Sequence, residues 1–291
     1  MKKKKMFYKE SGKVSPLGLI VSFGICTIVA IVLGYVYSTV SLFIPIVYAN
    51  FLITFGFGII LGLTVKVLIR LTHNRNRKSY LIQGAFLGIL ANYFQWTAYV
   101  LYAYFGETPS FYEYLSNLHL IVLPDFFFPA IAEIYETGTW SIFGITFNGT
   151  ILAVIWMFEF MIIVSIPVLA GYYTKPYPYS ELLNRWYPKF KLKRDFESIP
   201  SASDLLDNLN TNTFDTLQAL GLGGGFRFSK IYVFYHKNEE RQYLTVERMF
   251  VSSQDKKTKE VIINNFTIDN KTAELILDNF DNNKERIDVI Q

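Results

Sequence analysis

Charge is missing from four long stretches of this chain. Residues 14–65 hold none, nor do residues 79–106, and two further runs, 137–158 and 160–174, are separated by a single carboxylate, Glu159. A helix needs roughly 20 apolar residues to cross the hydrocarbon of a bilayer, so the first run is too long for one span and fits two. The pattern predicts spans at about 17–37, 46–69, 80–105 and 149–173, with residues 38–45 as a short turn between the first two. The first apolar run exceeds the length of a signal-peptide core and reads as a retained anchor.

The third span differs from the others. Gly84, Gly88, Asn92, Gln95, Tyr99 and Tyr102 fall within about 80° of one another at 100° per residue. Lipid cannot satisfy those amides, so this face is expected to look into a helix bundle. On span 2, Gly58 and Gly62 form a small-xxx-small pattern that lets a second helix approach closely.

Beyond residue 173 the pattern changes. Short helices are predicted near Ser203 and from Thr213, the second ending at Gly221. Strands follow at about 226–235, 242–251 and 260–268, rich in Val, Ile, Phe and Tyr, and a closing helix begins after Asp269 or Asn270. The expected fold is therefore mixed: a polytopic α-helical membrane domain of four transmembrane helices, then a small cytoplasmic α+β module with a three-stranded antiparallel meander. The divisions are a basic N-terminus (1–13), the membrane domain (14–173) with an outer segment (106–148), a juxtamembrane interfacial segment (174–200) and the module (201–291). In the outer segment, Pro124 and Pro129 bracket Asp125 and three Phe, which argues against one continuous helix and for an interfacial or re-entrant cap.

Charge sets the orientation. The net charge of +4 is uninformative as a whole-chain number, because its sign varies by segment. The first thirteen residues carry six Lys and one Glu, and residues 66–78 carry five basic residues and no acid. The outer segment has five acids and no Lys or Arg. Basic residues flanking apolar spans mark the cytoplasmic side, so a multi-pass protein of a bacterial plasma (inner) membrane with both termini cytoplasmic is expected. From residue 173 onward acids and bases balance at seventeen each, which leaves no field to steer nucleic acid. The expected partners are the lipid bilayer and either a membrane protein or a second copy of the chain.

Glu159 is the leading candidate for chemistry, because a carboxylate at bilayer depth is usually paired, turned inward or in use. Its depth matches that of Asn92 and Gln95 on the antiparallel third span. Two readings stand beside each other: a proton- or cation-binding group in a conduction path, or a hydrogen-bonded pin between helices. At the outer face, Glu113, His119 and Asp125 are the residues a lipid-linked substrate would meet. Gly221–Gly225 lacks the strand-before, helix-after context and the Lys of a phosphate loop. One Cys and three scattered His, together with the absence of any cofactor motif, give no expectation of a metal or cofactor. The reading that follows is a non-enzymatic subunit or scaffold of a membrane complex. The alternatives are a channel or carrier using Glu159 with Asn92 and Gln95, and an enzyme acting on a lipid-linked substrate at the outer face.

Overall fold

The computed structural model describes residues 6–44, 47–138, 141–142, 145–252, 256–280 and 286–287. The chain divides into two compact units, a helical one (Gly12–Thr174) and a sheet-bearing one built from Met1–Ser11 and Lys175–Gln291.

In the helical unit, α1 (Pro16–Phe43) starts where Ser15 accepts the Gly18 N–H on its hydroxyl and Pro16 presets the first turn. It runs to Phe43 rather than stopping near residue 37, so most of the expected turn is helix. After α2 (Val47–Leu71), the Asn76 side chain caps α3 (Arg77–Phe105) by accepting from the N–H groups of Lys78 and Ser79. Gly106, at φ +70°, ends it in the left-handed conformation that glycine adopts without steric cost. The outer segment holds α4 (Phe111–Ser116), a 3-10 turn (Leu118–Val122), α5 (Pro124–Thr137) and a two-stranded hairpin of β1 (Ser141–Ile142) and β2 (Ile145–Thr146). The helices of the segment are interrupted at Asn117 and again at Leu123, just before Pro124. Pro129 lies inside α5, so of the two bracketing prolines only Pro124 stands at a helix start. The two arms around the second break bend by 113°.

α6 (Gly149–Tyr172) returns through the unit. Among the described residues, three helices are long and apolar enough to cross a membrane: Pro16–Phe43, Ala49–Leu71 and Gly149–Tyr172. α3 is equally long but carries Gln83, Asn92, Gln95 and five tyrosines. It packs against both α1 and α6, while α2 packs on α6.

Glycine makes those contacts close. A Cβ at Gly84 would stand 2.6 Å from the Pro167 carbonyl oxygen, and one at Gly88 would stand 2.8 Å from the Val164 Cα. Gly58 and Gly62 lie likewise against Ile166 and Ala170 of α6. The two glycine pairs therefore seat the same helix, on two of its faces.

The second unit is built on an antiparallel sheet of order β10-β5-β7-β8-β9, with β6 also paired to β7. Its long strands are β7 (Arg227–Phe234), β8 (Arg241–Val251) and β9 (Lys257–Asp269). The juxtamembrane segment, expected along lipid headgroups, instead supplies β5 (Lys189–Lys191) and β6 (Phe196–Glu197) to this sheet. It also forms a separate hairpin of β3 (Tyr179–Ser180) and β4 (Arg185–Trp186). β10 (Arg286–Ile287) adds to β5, where a loose tail is expected from the sequence. α7 (Ala202–Thr211), α8 (Thr213–Ala219) and α9 (Asn270–Phe280) contribute Leu205, Leu209, Leu217, Ile276 and Leu277 to a core shared with Ile231, Val233, Leu244 and Val246. The N-terminus is a further surprise. Phe7 bridges Phe266, the Tyr8 N–H donates to the Asn265 carbonyl at 2.9 Å, and the Thr267 N–H donates to that of Met6. Residues 6–8 of what reads as a basic tail thus lie along β9 through an isolated bridge at Phe7.

Candidate functional site: a polar cluster among four helices

Tyr37 and Ser38 are neighbours on α1, so their side chains diverge by about 100° and address different helices. The Tyr37 ring stacks on Phe57 of α2 at 4.5 Å, and its hydroxyl meets the Thr54 hydroxyl at 2.8 Å. Thr54 in turn reaches the Asn50 carbonyl one turn back. Ser38 donates to the backbone carbonyl of Gln95 on α3 at 2.5 Å. Tyr37, Ser38, Thr54 and Gln95 are each at most 6% exposed. The Glu159 carboxyl of α6 lies within electrostatic range of Tyr37. Each long helix gives at least one member.

This differs from the pairing expected by depth. Neither Asn92 nor Gln95 bonds Glu159 among the described residues. The reason is rotation about α6. Glu159 falls on the stripe of Ile162, Ile166 and Ala170, which faces Gly58 and Gly62 of α2. The α3-facing stripe, with Ile163, Val164 and Pro167, is turned from it by roughly a quarter of the circumference. Matching depth is insufficient without matching azimuth. The partner that matters, Tyr37, is hard to see in the sequence because it stands where the expected first span ends, with Ser38 opening the expected turn. Polar side chains inside charge-free runs are the available signal.

Other interhelical pins follow the same pattern. Gln83 of α3 donates to the Ser22 hydroxyl of α1. Tyr114 of α4 donates to the carbonyls of Ile31 and Phe94, at 3.1 and 3.3 Å.

The outer-face residues do not converge on a shared ligand. Glu113 closes a capping box, accepting the Ser110 N–H at 2.7 Å and its hydroxyl at 2.8 Å. Those two donors hold its carboxyl below the usual range. His119 Nδ1 contacts the Ser116 carbonyl one turn back, and Asp125 sits in the first turn of α5. No group of three or more His, Cys, Asp and Glu arranged for a metal ion occurs among the described residues.

The glycine loop has a packing explanation. A Cβ at Gly223 would be 1.9 Å from the Phe196 carbonyl oxygen, and the Gly221 N–H donates to the Glu197 carboxylate. That loop is pressed onto β6, and the Glu197 carboxylate already takes one of its backbone donors. His236 faces the Arg185 guanidinium, and His73, at φ +50°, has its pKa lowered by burial and by Arg75. Comparison with protein-family models, with curated proteins and with solved structures finds no match to this chain.

Proposed function

We propose that this protein is a non-enzymatic, four-span subunit or scaffold of a membrane protein complex, with the sheet unit as its cytoplasmic interaction module. The observation that carries this reading is that both ends of the helical unit are built into one sheet body. Met6–Tyr8 pairs with β9, and the chain from Lys175 onward forms the rest of that unit. A partner seated on such a module would act on α1 and α6 together, as a scaffold or relay requires.

The same observation bears on topology. A body that holds both flanks of the helical unit lies on one side of a bilayer, so the crossings between the flanks must be even in number. α1, α2 and α6 supply three, and α3 is the natural fourth. Its 29 residues extend about 43 Å at 1.5 Å per residue. It meets partner helices in its first half through Gly84 at Pro167 and in its second half through Gln95 at Ser38. The bent pair in the outer segment turns back on itself by 113° and fits a re-entrant cap. Basic residues flanking these spans support the cytoplasmic assignment for the sheet unit. Extraction into a mild detergent followed by mass spectrometry of the intact assembly tests the subunit reading. A stoichiometric membrane partner or homo-oligomer is expected. A monomer that retains nothing, with or without prior crosslinking in membranes, would remove the reading.

A second reading has one observation in its favour. Glu159 stands near the Tyr37–Thr54 hydroxyl pair, and the amide oxygen of Asn50, whose backbone carbonyl accepts from Thr54, is buried without a hydrogen bond. That arrangement suits a proton or small cation inside the bundle. On this reading Glu159→Gln abolishes flux in liposomes while leaving the fold intact, and flux equal to that of protein-free vesicles in the wild type excludes it.

A further inference from the structure

We propose that the sheet unit binds an alkylammonium group in a tyrosine-floored cleft between the N-terminal segment, the β3–β4 hairpin and the β7–β8 turn. The cleft has a volume of about 640 Å³. That is well within the roughly 300–1,000 Å³ of small-molecule sites. The occupancy goes beyond the scaffold reading and does not depend on it.

The floor is phenolic. Tyr187 and Tyr243 are 3% and 9% exposed, with their rings edge to face at 5.4 Å. Tyr8, brought in by the N-terminal segment, packs on Tyr243 at 5.2 Å, and the buried Tyr179 adds a fourth ring to the lining. Residues from opposite ends of the chain thus meet around one concavity. The faces of such rings carry the negative end of the aromatic quadrupole and attract cations.

Carboxylates supply the rest of the field. Among the described residues, Glu181, Glu239 and Glu240 line the cleft against two bases, Lys9 and Arg241. Glu239 is held in place by the Ser180 hydroxyl. Burial raises the pKa of Tyr8 and Tyr187, and the carboxylates add to it, Glu10 and Glu181 for Tyr8 and Glu239 for Tyr187. The phenols are therefore neutral at physiological pH, and the acids are close enough for their charge to be felt on the floor. Neutral phenols under a net negative rim disfavour a phosphate or carboxylate and favour an ammonium. Leu182 and Phe7, 73% and 38% exposed in the lining, offer apolar surface for a methylene stem. An ammonium on such a stem occurs both in free diamines and in lysine side chains.

The test is isothermal titration of the full chain in detergent with 1,4-diaminobutane, with Nα-acetyl-lysine amide, whose side-chain ammonium is free, and with 1-butanol. Saturable binding of one or both amines, tighter than about 1 mM, is expected, and the tighter amine identifies the source of the group. The neutral alcohol should not bind. The double variant Glu181→Gln/Glu239→Gln should weaken the amine about tenfold, with its thermal unfolding checked for an intact fold. Lys9→Gln, at an exposed position, gives the opposite sign: it removes a repelling charge and should tighten binding. No saturable binding, affinity for inorganic phosphate instead, or weakening by Lys9→Gln would each overturn the proposal.

Discussion

The two units invert one another's use of polarity. In the helical unit Ile20, Leu52 and Leu63 are 70%, 74% and 55% exposed, while Ser22, Ser38, Gln83 and Gln95 are at most 6% exposed. In the sheet unit Leu192, Phe196, Val233 and Leu244 are fully buried, and charged residues such as Lys257 and Glu260 lie outside. Both are closely packed, but the source of the packing energy differs. Apolar burial drives the sheet unit as it drives any core in water. Between helices in lipid there is no such drive, and close contact with a few polar pins must serve instead.

Glycine gives the largest expected effect. Gly84→Val places a branched side chain against the Pro167 backbone, and Gly223→Val does the same against Phe196 in the sheet unit. Each should cost about 3 kcal/mol or more, because the obstructing atoms are backbone and cannot rotate away. Gly56, with nothing within 4 Å of where a Cβ would stand, is the control and should tolerate valine far better. Resistance to proteolysis in detergent reads all three. Near-wild-type protection of the Gly84 variant would mean that α3 and α6 do not meet there.

Leucine separates the two units more sharply. Leu244 and Leu87 are both fully buried, one in each core. Leu244→Ala should cost about 2–5 kcal/mol, the transfer and cavity terms together. Leu87→Ala forfeits packing but little transfer energy, since lipid is as apolar as the side chain, and about half that cost is expected. Denaturant unfolding of each variant measures the difference, and equal costs would place Leu87 in a water-facing core instead.

The pins come next. Tyr37→Phe removes the hydroxyl that meets Thr54, and should cost about 0.6–2 kcal/mol. In the sheet unit, Thr245→Val strands the buried Asn265, whose N–H donates to the Thr245 hydroxyl at 3.0 Å. An unsatisfied buried donor costs about 1–3 kcal/mol, so the larger loss is expected there. Thermal unfolding of the two variants side by side decides the order.

How far these features are legible follows from their periodicity. The positions of α1, α2 and α6 are written in charge-free runs, because bilayer thickness imposes a length that composition must match. β7 and β8 follow from clustered Val, Ile, Phe and Tyr. The strands of residues 189–197 are not legible: they are two or three residues long, and their pairing with β7 is set by tertiary contact rather than local preference. The bridge at Phe7 is masked by its lysine-rich surroundings, which fit a membrane-flanking tail equally well. At the polar cluster, Glu159 is conspicuous as the lone acid. Its partner requires the rotation of α6, and that is fixed by which face seats Gly58 and Gly62.

The smallest expected effect is at a helix end in the sheet unit. Asp269 caps α9, accepting the Thr272 N–H at 2.9 Å and its hydroxyl at 2.8 Å. Partial burial alone would raise its pKa, but those donors outweigh it and hold it below its ordinary 3.8. The native state thus binds this proton less readily than the unfolded chain. The stabilisation is complete above the unfolded value and is lost as pH falls through the folded one, so it fades only below about pH 4. Asp269→Ala should cost about 1 kcal/mol at neutral pH. Asp269→Asn keeps a capping oxygen and should lose less, and its stability should no longer carry this residue's share of the acid dependence. Melting curves of the wild type and Asn variant from pH 6 down to pH 3 give the comparison. The wild-type advantage should narrow as the carboxylate protonates, whereas a constant gap would mean that the charge of Asp269 does not contribute to capping α9.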